Sequence, residues 1–143
     1  MLMPIDKFRG PYRWLSNFWP CSIRVDGYTY DSVEYAYIAS KTLNTSRRAL
    51  IRSLRPDIIK SYGHTLDLRP GWDSMRIQVM SDLLRQKFRP GSELAHKLLL
   101  TDGHELIEGN TWNDRFWGVC RGEGGNHLGK ILMQIRDELK CLV

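Results

Sequence analysis

The sequence has little cysteine and no pattern that binds a metal. Its three cysteines stand at positions 21, 120 and 141, and no two of them form a C-x-x-C pair. This number and spacing exclude a disulfide framework and a cysteine zinc site, and they are typical of proteins in a reducing compartment. The four histidines form no H-x-x-x-H or H-E-x-x-H motif. We therefore expect a protein without a metal and without a cofactor.

Long apolar segments are also missing. No run approaches the ~20 apolar residues of a membrane span. Asp6, Lys7 and Arg9 lie where a signal peptide would have its apolar segment, so we expect a cytoplasmic protein with no membrane partner. The 143 residues include five Trp, six Tyr and four Phe. This aromatic content excludes a disordered chain and suffices for the core of a single domain over residues 1–143.

Acidic residues are nearly absent from one segment. The formal net charge of the chain is +5. Residues 41–60 contain Asp57 as their only acidic residue, whereas basic and acidic residues balance on both sides of this segment. A basic segment of this kind can bind phosphates, or it can be the solvated face of a helix. Composition alone leaves both alternatives open.

The hydrophobic pattern predicts a mainly helical fold with one small β-hairpin near the N-terminus. The hairpin is expected at Asp26-Gly27, which lies between residues that favour strands. A short strand is expected over residues 104–108. Apolar residues recur every three or four positions in the longer helices, so each has one buried face. The predicted helices are 33–42 with a cap at Asp31 or Ser32, a helix from a cap at Thr45 or Ser46 to Leu54, then 56–63, 70–88, 93–100 with a cap at Ser92, and 127–139 with a cap at Asn126.

Glu34 and Lys41 are the first candidates for chemistry. They are seven residues apart on one predicted helix, which is two turns, so both side chains point to the same side. Their separation along the helix axis is roughly 10 Å. A carboxylate and an ammonium at this separation can hold a ligand between them. Two ordinary surface charges fit the same spacing, and periodicity alone favours that simpler interpretation.

The segment from Glu105 to Asn126 is the second candidate. It contains Glu108, Asp114, two tryptophans and several glycines, and it leads into the N-terminus of a predicted helix. Glycine permits close approach of the backbone, and helix N-termini attract anions. The segment lacks the G-K-[ST] of a P-loop, and it is not a G-x-G-x-x-G motif after a strand. A glycine-rich connection without a function is the alternative.

Short motifs follow one another along nearly the whole chain, from about Phe8 to Leu139. They are WLSNF (14–18), SVEYAY (32–37) followed by Lys41, LRPGW (68–72), VM (79–80), KF (87–88), LIE (106–108), ND (113–114), WG (117–118) and NHLGKILM (126–133). Each motif is weak alone, but the set in this order is specific. It resembles the NADAR family, also called YbiA-like. One position departs from the family, because many relatives have Gly-Arg where this chain has Gly63-His64.

The resemblance implies a compact, mainly helical YbiA-like domain with N-glycosidase activity. Some family members cleave the bond between ribose C1 and nitrogen in reactive riboflavin-pathway intermediates, and others remove ADP-ribose from guanine bases in nucleic acid. The resemblance implies that Glu34, Trp72 and Asp114 match active-site positions, with Asn17 and Lys41 beside them. The other residues that we expect to bind substrate are Arg69, Glu108, Trp117, Gly118 and Asn126.

The chemistry of an N-glycosidase fits these residue types. Breaking the bond builds positive charge on the ribose, which a carboxylate near C1 stabilises while it activates water. We expect Glu34 to supply that carboxylate and Asp114 to hold the ribose hydroxyls or to share the acid–base work. Lys41 either binds a phosphate or attacks C1 as a neutral amine and forms an imine. Trp72 would stack on the base or close the sugar pocket.

Several functions remain as alternatives at this stage. The favoured one is removal of ADP-ribose from guanine bases, since the arginines at 47, 48, 52 and 55 would then form a rim that attracts phosphates. The second is hydrolysis of ribosylamino-pyrimidine phosphates of the riboflavin pathway. The others are a module that binds ADP-ribose or a nucleotide without cleaving it, and a nucleic-acid-binding protein that uses the basic segment alone.

Overall fold

In residues 2–143, which the computed structural model describes, the chain forms seven helices and four short strands. This part of the chain divides into two compact units. The central unit is residues 17–87, and the terminal unit is residues 2–16 together with residues 88–143. The predicted fold class, mainly helical with a small hairpin near the N-terminus, is confirmed. The single domain over residues 1–143 stays a prediction.

The central unit begins with the predicted hairpin. Strand β1 (Ile23–Val25) pairs antiparallel with strand β2 (Tyr28–Tyr30), and the first residue of β1 lies opposite the last of β2. Both turn residues, Asp26 and Gly27, have positive φ angles, of 49° and 85°. A two-residue turn with this geometry has the twist of the flanking strands, which is why Asp-Gly favours it.

Helix α1 (Val33–Ser40) is the buried element of the central unit. All eight of its residues are buried, and it packs on α2, α3, α4 and both strands of the hairpin. The Ser32 hydroxyl accepts a hydrogen bond from the Tyr35 N–H at 3.3 Å, so Ser32 is the cap. A helix that is buried on every side is positioned by all of its neighbours at once, so the side chains that it carries are held firmly.

The other helices of the central unit are α2 (Thr45–Ile51), α3 (Pro56–Gly63) and α4 (Trp72–Lys87). The predicted cap of α2 is wrong, because the Asn44 side chain accepts the capping bond from the Arg47 N–H at 3.0 Å. Its predicted end at residue 54 is also wrong. The helix ends at Ile51 because the chain then tightens into turns, in which the Ser53 N–H donates to the Leu50 carbonyl oxygen at 3.0 Å and the Leu54 N–H donates to the Ile51 carbonyl oxygen at 3.2 Å.

Helix α4 starts later than predicted. Gly71 has a left-handed backbone, with φ of 77°, and such a residue cannot belong to a right-handed helix. The predicted apolar face is present on α4, because Trp72, Met80, Leu83 and Leu84 are all buried.

The terminal unit contains a 3-10 helix (Gly10–Leu15), α5 (Glu93–Leu99) and α6 (His127–Lys140). The predicted strand over residues 104–108 is wrong. Only Leu106 pairs there, in an isolated bridge with Ile5. The strands of this unit are β3 (Gly109–Asn110) and β4 (Val119–Cys120), which run parallel. The predicted core face of α6 is confirmed, since its five apolar residues are buried, namely Leu128, Ile131, Leu132, Ile135 and Leu139.

None of the helices formed by residues 2–143 is long and apolar enough to cross a membrane.

Arg48 of α2 is buried, so it does not belong to an exposed basic rim. Its side chain is 6% exposed, and its Nε donates hydrogen bonds to the backbone oxygens of Ala39 at 3.1 Å and Thr42 at 2.8 Å. Its Nη1 forms an ion pair with the Asp26 carboxylate at 2.6 Å. Arg48 therefore joins the end of α1 to the turn of the hairpin, which corrects its predicted place among exposed phosphate-binding arginines.

Replacing this arginine is expected to destabilise the fold. In Arg48→Met the two backbone oxygens lose their donor, and an unsatisfied buried acceptor costs about 1–3 kcal/mol. We expect the free energy of unfolding to fall by about 2–4 kcal/mol in urea denaturation followed by tryptophan fluorescence. The control is Arg47→Met, one residue away and exposed, with an expected change within about 0.5 kcal/mol. Equal effects of the two substitutions would contradict a structural role for Arg48.

Lys87 at the end of α4 is a second buried basic residue. Burial lowers the pKa of its ammonium group to about 7, and the nearby Cys21 acts against this shift. Burial also raises the pKa of the Cys21 thiol. The two groups have opposite effects on the pH dependence of the free energy of unfolding. The lysine binds its proton less readily in the folded state, whereas the thiol holds its proton more firmly there.

Lys87 is expected to make stability rise with pH. Between about pH 7 and the ordinary lysine pKa of 10.5, the unfolded chain carries a proton on Lys87 that the folded chain has lost. The free energy of unfolding contributed by this group therefore increases across that range. Urea denaturation at several pH values measures it, and the rise should be smaller in Lys87→Met than in the wild type. The exposed Lys130→Met is the control, and a Lys87→Met profile parallel to that of the wild type would exclude the effect.

Candidate active site

The predicted site residues are divided between the two units. The central unit holds Asn17, Glu34, Lys41, Arg69 and Trp72. The terminal unit holds the remainder, which are Glu108, Asp114, Trp117, Gly118 and Asn126.

Glu34 lies in the first turn of α1 and is 8% exposed. Its backbone N–H donates to the carbonyl oxygen of Asn17 at 2.9 Å, which joins the segment before the hairpin to the start of α1. A negative charge in the first turn of a helix interacts favourably with the exposed N–H groups there. The sequence therefore folds so that a carboxylate is held in a mostly dry position at a helix N-terminus.

Lys41 follows the last residue of α1, and several charges act on it. Burial is the largest cause of a pKa below the ordinary lysine value, and Arg76 and Lys60 lower this pKa further. Glu34 acts in the opposite direction and raises the pKa of Lys41, so carboxylate and amine are electrostatically coupled. This coupling agrees with the predicted placement of both side chains on one side of the helix.

Two aromatic rings accompany Lys41. Its Nζ lies 5.5 Å from the centre of the Tyr37 ring, and the Trp72 ring lies 5.3 Å from the same Tyr37 ring at an angle of 51°. Trp72 is 4% exposed, so its ring is mainly a packing surface for Tyr37. Tyr37 is a residue that sequence analysis missed, although its position one turn before Lys41 places it on the same face of the helix.

Arg69 and its segment are attached to the end of α1. The Arg69 backbone N–H donates to the Lys41 carbonyl oxygen at 2.8 Å, and its guanidinium Nη1 lies 3.5 Å from the Ser40 carbonyl oxygen. These contacts fix the segment before Trp72, which brings the tryptophan beside Tyr37. Arg69 is therefore close to Lys41.

Asn17 carries a buried acceptor. Its Nδ2 contacts the Met80 sulfur at 3.6 Å, whereas its Oδ1 has no hydrogen-bond partner among residues 2–143. Buried polar atoms in native proteins are nearly always paired, so an unpaired one indicates a place that a ligand or water completes. Its position next to the backbone of Glu34 makes it a candidate for binding a hydroxyl or amino group.

In the terminal unit, the Asn110 side chain forms hydrogen bonds with both Glu108 and Asp114. Its Nδ2 donates to Glu108 Oε2 at 3.1 Å and to the Asp114 carbonyl oxygen at 2.8 Å. Its Oδ1 accepts the Asp114 N–H at 3.0 Å. Sequence analysis missed this buried asparagine, for which the only available signal was its place between the two candidate carboxylates.

Asp114 is held by its own backbone turn. Its Oδ1 accepts hydrogen bonds from the N–H groups of Phe116 at 3.1 Å and Trp117 at 2.9 Å. The preceding residue, Asn113, has a left-handed backbone with φ of 65°, which asparagine tolerates better than most residues. Trp117 contacts Phe116, with ring centres 4.8 Å apart. The carboxylate thus has a fixed direction, with both backbone bonds on one oxygen.

Asn126 and Gly118 both contact the part of this segment that carries Glu108. Asn126 precedes α6 as predicted, but its side chain does not cap the helix. Its Nδ2 donates to the Leu106 carbonyl oxygen and its Oδ1 accepts the Glu108 N–H, both at 3.0 Å, because its backbone is left-handed and turns the side chain away from the helix. At Gly118 a Cβ atom would collide with Glu108, so only glycine fits.

No three side chains of His, Cys, Asp or Glu in the part of the chain that the structure describes converge in a way that could hold a metal ion.

Sequence comparison places the chain in a family. A sequence model of the NADAR domain matches residues 6–140. An N-glycosidase of Nostoc punctiforme is 34% identical over 140 residues, which cover 93% of this chain and 89% of that protein. N-glycosidase YbiA of Escherichia coli is 36% identical over 132 residues, which cover 90% of this chain and 82% of that protein.

Comparison with a solved structure supports the same family. The NMR structure of E. coli YbiA has a TM-score of 0.83 and 34% identity, covering 98% of this chain and 84% of the other. A riboflavin biosynthesis protein of Vibrio vulnificus is 36% identical over 132 residues, which cover 89% of this chain and 35% of that protein. Family model, relatives and structure agree with the resemblance inferred from the motifs, and the chain belongs to the NADAR domain family.

Proposed function

We propose that this protein is an N-glycosidase that hydrolyses the bond between ribose C1 and a base nitrogen. The observation that carries the proposal is the buried Glu34 carboxylate in the first turn of α1, which is coupled to a lysine just after the end of that helix whose pKa is lowered. Relatives that match most of their own length are named N-glycosidases, which supports the same reaction class.

In the proposed reaction Glu34 acts at C1. As the C1–N bond breaks, the base leaves with the electron pair and takes up a proton, and the ribose ring becomes positively charged. A carboxylate in a site from which water is largely excluded stabilises that charge more strongly than one in bulk water. Glu34 then accepts a proton from the water whose oxygen forms the new bond to C1.

For Lys41 we propose a covalent role. Its lowered pKa gives more neutral amine near pH 7 than an exposed lysine has, and only the neutral amine is a nucleophile. In this route the amine nitrogen, rather than water, first bonds to C1 as the base leaves, and Glu34 takes the proton that the nitrogen gives up. The nitrogen lone pair then expels the ring oxygen, Glu34 returns the proton to that oxygen, and an imine remains at C1. The water that Glu34 deprotonates adds to C1 of the imine, which releases the sugar and returns the Lys41 amine. Phosphate binding by the charged form is the alternative, and the two roles predict opposite pH profiles.

Asp114 and Asn17 are proposed to hold the ribose. Asp114 uses Oδ1 for its backbone turn, so Oδ2 is the oxygen proposed for a ribose hydroxyl or for sharing the acid–base work. The buried Asn17 Oδ1 suits a hydroxyl or amino donor of the substrate. For Arg69, Trp72, Glu108, Trp117, Gly118 and Asn126, contact with the substrate stays a prediction.

The substrate that we favour is an ADP-ribosylated guanine base. Arg47, Arg52 and Arg55 are exposed in the basic segment and can attract the phosphates of such a substrate or of the nucleic acid that carries it. A ribosylamino-pyrimidine phosphate is the second candidate, which the name of the Vibrio relative favours. Incubation with each compound, followed by chromatography of the released sugar, separates the two substrates. Tight binding of both without release would instead indicate a binding module.

Removing the charge of either carboxylate is expected to slow turnover strongly without unfolding the protein. In Glu34→Gln and Asp114→Asn the shape of the side chain is kept, and the amide oxygen introduced by the second substitution would still accept the two backbone bonds. We expect kcat to fall by about 10²–10⁴-fold, the usual contribution of acid–base catalysis, with a much smaller change in KM. Initial rates of sugar release measure both.

The matched control is Glu105→Gln, an exposed glutamate outside the candidate residues. Its kcat should stay within about twofold of the wild type. Wild-type turnover in Glu34→Gln would remove Glu34 from the mechanism, and the same result in Asp114→Asn would remove Asp114.

The role of Lys41 is expected to appear in the pH profile. If the neutral amine attacks C1, kcat/KM rises with pH through an apparent pKa below the ordinary lysine value of 10.5. Borohydride added during turnover should then reduce the imine and attach the sugar to Lys41, which mass spectrometry detects. Lys41→Arg should give no adduct. Activity that falls with rising pH, without an adduct, would favour phosphate binding.

A further inference from the structure

The central unit contains a cavity that most of the candidate residues do not line. Its volume is about 860 Å³, within the range of small-molecule sites, and its walls include Phe18, Asp31, Tyr35 and Arg52. Neither Glu34 nor Lys41 lines it. The proposed reaction therefore leaves this cavity without a function.

Several residues that line the cavity are close in sequence to Asn17 and Glu34. Phe18 follows Asn17, whose carbonyl oxygen accepts the Glu34 N–H at 2.9 Å. Ser32 and Tyr35, on both sides of Glu34 in the sequence, also line the cavity. A molecule in the cavity would thus contact the residues that flank Glu34 without contacting Glu34 itself.

The cavity walls combine rigid aromatic surface with charge at the edge. The Tyr35 hydroxyl donates a hydrogen bond to the Leu54 carbonyl oxygen, which fixes that ring. The Phe18 ring has the Lys60 Nζ 5.8 Å from its centre. The Arg52 side chain is exposed, with its guanidinium carbon 6.0 Å from the centre of the Tyr28 ring. Aromatic surface with nearby cations is the combination that binds single-stranded nucleic acid.

One acidic group faces the same cavity. The exposed Asp31 carboxylate would repel a phosphate placed beside it, but it can accept hydrogen bonds from the amino group of a base. The cavity thus has a cation for a phosphate, an aromatic ring for a base face and an acceptor for a base edge. A purely anionic ligand would use only the first of these.

We propose that this cavity binds an unpaired nucleotide that neighbours the modified base in a nucleic-acid strand. The inference rests on the proposed function, because it assumes that the base to be released lies at Glu34. Arg52 binds the backbone phosphate, Phe18 stacks on the base, and Asp31 accepts from its amino group. The cavity thereby favours a modified base within a single strand over the same modification on a free nucleotide.

The test is the binding of a short, unmodified, fluorescently labelled single-stranded DNA, measured by anisotropy at several salt concentrations. In Arg52→Gln we expect weaker binding at low salt, and the slope of log K against log salt should decrease by about 0.7, the value for one lost phosphate contact on a single strand. Arg24→Gln is the matched control. It removes the same charge from the same unit, and Arg24 is exposed and does not line the cavity.

A second variant tests stacking. Phe18→Ala should weaken strand binding by about tenfold, in the range measured for loss of one base–aromatic stack, without changing the salt slope. Circular dichroism checks its fold, and the exposed Arg52 variant decides the question if Phe18→Ala does not fold. Equal losses in Arg52→Gln and Arg24→Gln, or no binding of the strand, would overturn the proposal. Displacement of the strand by an equal concentration of free mononucleotide would also overturn it.

This experiment separates the inference from the proposed activity. The DNA is unmodified, so binding is measured without turnover. Strand binding that depends on Arg52 in a protein without glycosidase activity would support the cavity and reject the enzyme. Turnover without Arg52-dependent binding would do the reverse.

Discussion

The burial of helix α1 is the physical constraint on which the central unit depends. All eight residues are buried, including an ionisable carboxylate, and the lysine that follows the helix is largely removed from water. Taking charges out of water is costly unless other charges or hydrogen bonds replace the hydration. The same low dielectric strengthens the coupling between Glu34 and Lys41 and holds the pKa of the lysine down. Exclusion of water thus acts on both groups together.

In the terminal unit, the side chains of two asparagines hold the segment that carries the candidate carboxylates. Asn110 and Asn126 both bind backbone groups of the segment that carries Glu108 and Asp114. This segment has almost no regular secondary structure, so side chains must supply the hydrogen bonds that a helix or sheet would otherwise provide. The result is an irregular loop in which the Asp114 carboxylate has a defined direction.

The basic segment has two different functions in the structure. Arg48 is inside the fold, where its guanidinium binds carbonyl oxygens at the end of α1. Arg47, Arg52 and Arg55 are outside, where they can meet anions. Arginine suits both places, because its planar group donates several hydrogen bonds in fixed directions and stays charged even when buried. The net charge therefore overstates the number of basic residues that phosphates can reach, because it includes the buried Arg48.

Much of the fold could be predicted because it depends on local interactions. The hairpin follows from Asp26-Gly27, the starts of α1 and α5 follow from the hydroxyls of Ser32 and Ser92, and the core face of α6 follows from its spacing. The shared side of Glu34 and Lys41 follows in the same way from two helical turns. The start of α2 was less predictable, because three neighbouring residues, 44–46, can each cap a helix and the structure uses Asn44. The start of α4 was less predictable because it depends on the left-handed backbone of Gly71.

The sequence by itself determined the helices, the hairpin, the family motifs and the residue types available for chemistry, because these depend on neighbours in the chain. Only the tertiary structure decided which charges are buried, as at Arg48 and Lys87, and which carbonyl groups the side chain of Asn126 would bind. It also decided that the Asn17 Oδ1 would remain without a partner among the described residues. Burial and polar pairing depend on residues that are distant in the sequence, so a local pattern holds no information about them.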